Sequence, residues 1–472
     1  MRWLRRIPPH RNARRAERGA LLKSPQDAFC LAMVVSTFKN SLVTVLRVGG
    51  IFSPLRERLG LHARELTPKV VRKIAILSGE TRSYKRAVIV LAEADVGVSI
   101  KTVERVVHEI GGELAERRDA DPKTDNALAL RGDLPPELAI IECDGGRIRC
   151  RHPGRGPGVH PVGEGWRETK VACLIRAHRQ TFAEDPQPNP PECFCDPQHV
   201  AKLVETEALS VAAPVLQEAL SADTTIHRED PLTTMALDWR PKRLVRTVLA
   251  SMADSREFGK QMQREAKRRQ FPAAAGKAFL GDGLSWNWSI WKERFSEFTP
   301  ILDFIHALSY VFMSAKALHP DSPSNAWSQY LVWMRGCWQG DIGQVLDEMR
   351  VWQTKLGEPP EEIHDQDPRT LLAKSIHYLE NNRSRMQYDQ YRQQGLPVTT
   401  AWMESLVKEM NYRVKGTEMW WNDPQGAEAI LQIRAAGLSE DDRLSRHLDQ
   451  RTGNPFTRPP KTPKLAIHKN RS

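Results

Sequence analysis

Two aspartates stand where apolar strands are expected to end, a position that suits metal-dependent chemistry. Asp144 follows the apolar run 138–143 and is followed by two glycines. Asp282 follows the short apolar run 278–281 and is followed by Gly283. An ionised carboxylate beside a strand end is costly unless it is paired or bound to a cation, and a neighbouring glycine lets a ligand approach closely. Each aspartate taken singly is more often structural, so the chemistry depends on their being used together.

A third acid, Glu404, belongs to a different kind of element. Thr399 or Thr400 is suited to cap a helix that runs to about Tyr412, and this cap places Glu404 in the first turn. Such a glutamate usually does no more than complement the helix dipole. Three carboxylates brought together from separate elements would repel one another unless a hard cation such as Mg²⁺ neutralised them. Asp144, Asp282 and Glu404 together therefore predict a divalent-metal site.

The surrounding pattern predicts the elements that must position these acids. Alternating or continuous apolar residues bounded by glycine and proline predict strands over 138–144, 147–150, 166–177, 277–282 and 300–305. A long helix is expected from Pro241 to about Gln270, and the chain from His306 to about Arg392 is expected to be largely helical. Strands that alternate with helices indicate an α/β core flanked by helical segments.

A helix-turn-helix pattern lies upstream of the first strand. The segment 83–94 has an apolar stripe at helical spacing, a short turn contains Gly97, and Ser99 is suited to cap a second helix. A plain helical hairpin gives the same pattern. In a DNA-reading hairpin, Lys101, Thr102 and Arg105 would project near the start of the recognition helix.

Composition limits the class of protein. The 472 residues include 69 Lys or Arg and 58 Asp or Glu, a formal net charge of +11, which favours a polyanionic partner. Mean hydropathy is −0.50 and no long uncharged apolar run occurs, so a membrane protein is not expected. Seven scattered cysteines do not predict a disulfide framework. We therefore expect a reduced, soluble, cytoplasmic protein.

Six motifs follow one another along the chain: Glu142-Cys-Asp144-Gly-Gly, Phe279-Leu-Gly-Asp282-Gly-Leu-Ser-Trp-Asn-Trp288, Ile301-Leu-Asp303-Phe-Ile-His306, Gly395-Leu-Pro-Val398, Met403-Glu404-Ser405-Leu-Val-Lys408 and Arg413-Val-Lys415-Gly416-Thr-Glu-Met-Trp420. In their order and spacing, the chain over about 59–444 resembles the bacterial insertion-sequence DDE transposases of the ISKra-like group. This group shares with the Mutator-type superfamily a Cys-or-Asp, two residues, His element between the second and third acids.

The resemblance implies an RNase H-like mixed sheet with a helical insertion before the last acid. It implies that Asp144, Asp282 and Glu404 form the catalytic triad and bind two Mg²⁺ ions, for which Mn²⁺ can substitute. Asp303 and His306 would support the site, although a plain helix-capping pair explains them equally well. The implied activity is cleavage and strand transfer of double-stranded DNA at the ends of the element by a homo-oligomer, in the bacterial cytoplasm at the nucleoid. A catalytically degenerate or domesticated DNA-binding relative and another RNase H-like nuclease remain as alternatives.

The expected organisation follows from these features. It consists of a basic N-terminal region (1–58), a helix-turn-helix region (59–135), a catalytic core (136–305 and 395–447), a Trp-rich helical insertion (306–394) and a basic tail (448–472). Next to the proposed triad, four cations are suited to hold DNA phosphates, or else form a solvated edge: Arg147, Arg149, Arg413 and Lys415.

Overall fold

The computed structural model describes ten stretches of the chain: 28–31, 34–39, 43–44, 51–52, 66–120, 134–151, 165–211, 239–360, 367–416 and 419–451. The basic segments 1–20 and 452–472 therefore lie outside the described residues. The chain divides into two compact units, one formed by 1–107 with 443–472 and the other by 108–442. Four short strands pair as two hairpins in the first unit: Ala28–Leu31, Val34–Lys39, Val43–Thr44 and Ile51–Phe52.

The other described residues of the first unit are mainly helical, and the unit boundary falls within the third of the following helices. They are α1 (Pro68–Glu80), α2 (Tyr84–Glu93) and α3 (Ile100–Arg118). Ser83 caps α2 by accepting the Arg86 amide, and the Ser99 hydroxyl accepts the Thr102 amide at 3.1 Å. These caps confirm the predicted helix, turn and second helix. Apolar side chains of all three helices are buried, and their burial stabilises the hairpin.

A five-stranded mixed sheet forms the centre of the second unit. Its strands are β1 (Leu138–Arg149), β2 (Trp166–His178), β3 (Lys242–Ser251), β4 (Gly276–Gly281) and β5 (Thr299–Leu302). The order across the sheet is β3-β2-β1-β4-β5, with β1, β2 and β3 antiparallel and β1, β4 and β5 parallel. The central strand β1 is long and buried over its first half, because both sheet faces are covered there.

The prediction of one long helix from Pro241 to about Gln270 is wrong. The structure has strand β3 over Lys242–Ser251, a turn capped by Asp254, and then the helix α5 (Ser255–Arg268). β3 pairs with β2 along nearly its whole length, so inter-strand hydrogen bonds take up its backbone groups. This pairing depends on residues far away in sequence, and it outweighs a pattern that is compatible with a helix.

The described residues form nine further helices in the second unit and one in the first, and several of them lie in the chain between β5 and Glu404. They are α4 (Pro197–Val211), α6 (Ser285–Arg294), α7 (Phe304–Leu318), α8 (Pro323–Trp338), α9 (Ile342–Leu356), α10 (Pro368–Asn382), α11 (Tyr388–Gln393), α12 (Ala401–Val414), α13 (Pro424–Leu438) and, in the first unit, α14 (Arg443–Gln450). The predicted helical character of 306–392 is confirmed over the described residues. Large rings fill this region, as where Phe304 contacts Trp338 and Tyr388 edge-on at centroid distances of 5.0 Å.

Candidate active site

Asp282 directly follows strand β4, whereas Asp144 lies within β1, which runs unbroken over Leu138–Arg149 instead of ending at 144 and starting again at 147 as predicted. The parallel pairing of β1 with β4 ends at Glu142 and Leu280. Asp144 and Asp282 each lie two residues beyond this pair, so both stand just past the last paired residues at the same end of the β1–β4 pairing. Carboxylates held close to each other repel strongly unless a cation lies between them. Sequence reasoning named both residues, and the sheet places them at the same end of this pairing.

Hydrogen bonds orient Asp282 from the helix that follows it. Its Oδ1 atom accepts the side-chain amide of Asn287 at 2.6 Å and the backbone amide of Leu284 at 3.0 Å. Asn287 is fully buried, so its amide is fixed in place. Burial raises the pKa of the Asp282 carboxyl above its ordinary value, His306 lowers it and Asp303 adds to the rise. A cation bound to this carboxylate would offset the cost of its charge.

Asp303 and His306 form a hydrogen-bonded pair close to Asp282. The predicted strand over 300–305 ends earlier, at Leu302, and buried Asp303 caps α7 instead. Its Oδ2 atom accepts both the backbone amide of His306 at 3.2 Å and the ring Nδ1 at 2.7 Å. The helix-capping interpretation is therefore confirmed in geometry. The Asp303 backbone amide donates to the Gly281 carbonyl at 3.0 Å, which places Asp303 next to the residue that precedes Asp282.

Glu404 lies in the first turn of α12, which packs against β1 and β2. Thr400 stands at the predicted cap position, but no side-chain cap hydrogen bond forms there. Its backbone amide instead donates to Oδ1 of Asp303 at 2.9 Å. Asp303 therefore links the turn before Glu404 to His306.

The segment after α12 is fixed to the same sheet. Trp421 makes a bridge to the end of β1, where its backbone amide donates to the Arg149 carbonyl at 2.9 Å. The Trp421 indole also donates to the Val414 carbonyl at 3.0 Å. Helix α12 is thus held to the sheet at its carboxyl end as well.

Cations line β1 and its neighbours beyond Asp144. Arg149 lies between the rings of Trp166 and Trp420, at 5.1 Å and 5.2 Å from their centroids. Burial lowers the pKa of Lys415 from its ordinary value, Arg149 lowers it further and Asp144 opposes the shift. Lys415 therefore lies within electrostatic range of both a catalytic candidate and Arg149.

The other predicted DNA-binding residues fall into two groups. Arg147, Lys101 and Arg105 are exposed and Thr102 is half-buried, positions that allow contact with a ligand. Arg413 is buried, with its guanidinium 5.2 Å from the Trp421 ring centroid. This packing suits Arg413 to hold Trp421 in place.

Three residues near the aspartate pair were missed by sequence reasoning. Lys170 is buried and pairs across the sheet with Gly145, and its ammonium binds Glu168 at 2.8 Å. Asn287 positions Asp282, and the Tyr378 hydroxyl donates to the Asp282 carbonyl at 2.6 Å. The position of Asn287 between two tryptophans just after Asp282 was a signal for this residue. No local signal marked the other two.

The structure does not bring all three acids into one closed site. Among the described residues, no three His, Cys, Asp or Glu side chains are grouped so that they could hold a metal ion. Asp144 and Asp282 lie just beyond the parallel pairing of β1 and β4, and Glu404 lies on α12, which begins after Thr400, whose amide donates to Asp303. Carboxylate oxygens are the ligands that Mg²⁺ prefers, so the chemistry of the donors fits this ion.

Comparison with solved structures shows a similarity to a transposase complex. The chain is similar to the "Drosophila P element transposase strand transfer complex", with a TM-score of 0.31 and 9% identity, covering 80% of this chain and 93% of that chain. No family model and no curated protein matches the sequence. No helix in the described ranges is long and apolar enough to cross a membrane.

Proposed function

We propose that this protein is a DDE-type DNA transposase that cleaves the ends of its own element and joins them to target DNA. The observation that supports this most directly is that Asp144 and Asp282 each lie two residues beyond the last pair of the parallel strands β1 and β4. The first acid is on the central strand of a mixed five-stranded sheet, and the third follows a helical segment on a helix packed against that sheet. This arrangement supports the RNase H-like core that the sequence motifs imply.

Asp144, Asp282 and Glu404 are the residues that would hold two Mg²⁺ ions. Such ions, when bound, activate a water or 3′-hydroxyl as nucleophile and stabilise the leaving oxygen in phosphoryl transfer. The other residues position the acids: Asn287 fixes one oxygen of Asp282, and Asp303 fixes the turn before Glu404.

The cations support a DNA partner. Arg149 lies at the end of β1 and Lys415 directly follows α12, and each can neutralise a phosphate. Lys101, Thr102 and Arg105 on α3 would contact the duplex at the element end. Two element ends must be held for strand transfer, so we propose a homo-oligomer on DNA, at the bacterial nucleoid.

A cleavage assay tests this function. The substrate is a duplex that carries the sequences flanking the coding region, incubated with Mg²⁺ or Mn²⁺, with a gel-shift assay in parallel. Asp144→Asn, Asp282→Asn and Glu404→Gln should each lower cleavage by several orders of magnitude while leaving DNA affinity unchanged or slightly higher, because a negative charge near phosphate is removed. Exposed Asp321→Asn is the matched control and should cut like the parent.

Two outcomes would replace the proposal. If the parent binds the duplex but never cuts it, the protein is a DNA-binding relative without catalysis. If the parent cuts branched or unrelated DNA without preference for the flanking sequences, another RNase H-like nuclease is the better assignment. Cleavage by the Asp144→Asn variant at the parental rate would exclude the metal site.

A further inference from the structure

A cleft of about 530 Å³ opens directly beside Asp282, between the end of β4 and the helices α7 and α10. Its walls include Gly283, Tyr310, Lys374, His377, Tyr378 and Asn381. None of these residues belongs to the proposed metal site or to the predicted DNA-binding set. The volume is in the range of sites that bind one small molecule or one nucleotide.

The cleft is fixed to the backbone of Asp282. The Tyr378 hydroxyl donates to the Asp282 carbonyl at 2.6 Å. Gly283 has a φ of +93°, and a Cβ atom there would lie 2.5 Å from the Tyr378 hydroxyl oxygen. Only glycine therefore allows this approach. A ligand in the cleft is held at a fixed position relative to Asp282.

One wall of the cleft is aromatic. The rings of Tyr310 and Tyr378 stack with centroids 3.8 Å apart and planes at 16°. Burial raises the pKa of Tyr310, Asp282 raises it further, and both His306 and Lys374 oppose the rise. Tyr310 thus lies within electrostatic range of both Asp282 and Lys374. A stacked pair of rings offers a flat apolar surface of the kind on which nucleobases pack.

The polar wall of the cleft is formed by one face of α10. Lys374, His377 and Asn381 follow each other at spacings of three and four residues, which places them on one side of the helix. Lys374 and His377 are exposed, and the His377 Nε2 atom lies 2.8 Å from the Asn381 side-chain nitrogen. The described residues that line the cleft include no carboxylate. Nearby Glu380 is paired with Arg350 at 2.7 Å.

We propose that this cleft binds a single unpaired nucleotide of the DNA strand that reacts at Asp282. The base stacks on the Tyr310–Tyr378 pair, Lys374 binds its phosphate, and Asn381 and His377 contact the base edge. A duplex does not fit into a cleft of this size, so the nucleotide must leave the base stack, as in enzymes that take a base into a pocket. The inference rests on the proposed function, because it assigns a subsite next to the same metal site.

Fluorescence of 2-aminopurine tests the proposal with the full chain. The probes are two mixed-sequence duplexes, one with 2-aminopurine as a single unpaired 3′ nucleotide and one with it fully paired, in Ca²⁺ so that binding is measured without cleavage. We expect the parent to quench the unpaired probe and to bind it about tenfold more tightly than the paired probe. Tyr310→Leu and Lys374→Ala should each remove most of this preference.

Matched variants separate the subsite from general effects. Lys316→Ala removes an equal charge from the same helix as Tyr310, outside the cleft, and should keep the preference. Tyr378→Leu removes the second ring of the stacked pair and should lower the quenching as Tyr310→Leu does. The proposal would be overturned if the parent bound both probes with equal affinity. It would also be overturned if millimolar free dAMP displaced the probes in a manner that depends on Lys374 while the parent showed no preference for the unpaired probe. Because the assay involves no cleavage, a cleavage-negative parent that still shows the preference would refute the transposase activity but not the cleft.

Discussion

The carboxylate of Asp303 accepts the backbone amide of Thr400 at 2.9 Å, across 97 residues of chain. Its second oxygen accepts the ring nitrogen of His306. This one fully buried side chain therefore joins the end of β5, the start of α7 and the turn before α12.

We expect Asp303→Ala to lower the free energy of unfolding by about 2–4 kcal/mol, because the buried donors of Thr400 and His306 lose their acceptor. Urea unfolding followed by circular dichroism measures this change. Asp303→Asn keeps an acceptor for Thr400 and should lose less. Parental stability of the alanine variant would show that Asp303 is not needed to hold the turn.

Cation binding should depend on the protonation of Asp282. Folding raises the pKa of this carboxyl. Without a metal, the protonated carboxyl therefore adds to the free energy of unfolding at low pH, and this contribution is lost as pH rises through the raised pKa. Ca²⁺ binds only the deprotonated form. The Ca²⁺-dependent rise in melting temperature should therefore be larger at pH 8 than at pH 5. At a free Ca²⁺ concentration of about 100 times Kd, binding stabilises the folded protein by about 2.7 kcal/mol.

Asp282→Asn provides the control for that measurement. It should melt at a temperature equal to or higher than the parent at pH 8 without metal, because a charge that burial disfavours has been removed. It should also lose most of the Ca²⁺-dependent shift. A full Ca²⁺ shift in this variant would place the cation elsewhere.

The α3 surface should bind duplex DNA through charge. The double variant Lys101→Ala, Arg105→Ala should bind DNA more weakly. The slope of log K against log salt concentration should become shallower by about one for each phosphate that the double variant no longer neutralises. Lys69→Ala, an exposed lysine at the start of α1, is the control with the same kind of charge change. Titrations at several salt concentrations measure both slopes, and identical slopes for parent and double variant would exclude a DNA-reading role.

The contribution of Arg149 to DNA binding should depend on its contacts with Trp166 and Trp420 as well as on its charge. Arg149→Lys keeps the charge but loses the planar group that stacks between Trp166 and Trp420, so we expect DNA affinity to fall severalfold. Trp420→Leu should have a similar effect and Trp420→Phe a smaller one. Lys292→Ala, on α6, is the control, and unchanged affinity of Arg149→Lys would show that charge alone matters.

Lys415 gives this surface a pH dependence. Its pKa is lowered, so its charge, and with it its contribution to DNA binding, is lost at a lower pH than for an ordinary lysine. Lys415→Arg should keep DNA affinity nearly constant as pH rises, whereas the parent should weaken. Equal pH profiles from fluorescence anisotropy would remove Lys415 from the interface.

The sequence by itself determined the features that depend on local chemistry. Asp144 and Asp282 were recognisable because each follows an apolar run and precedes glycine, and Ser99 was recognisable as a cap. Local periodicity failed at 242–251, where the same apolar residues suit a helix or a strand. Pairing with β2 decided between the two, and that partner is distant in sequence.

Only the tertiary structure decided which of these residues meet. The parallel register of β1 and β4 placed Asp144 and Asp282 at the same end of the pairing through backbone hydrogen bonds that no single segment encodes. Thr400 was assigned to a helix start, yet the acceptor of its amide is Asp303, on another element. The cleft is built from three separated segments, so Tyr310 meets Tyr378 and Gly283 only when α7 and α10 pack together. Packing and register are sums over many distant contacts, and for that reason they cannot be obtained from the spacing of residues along one segment.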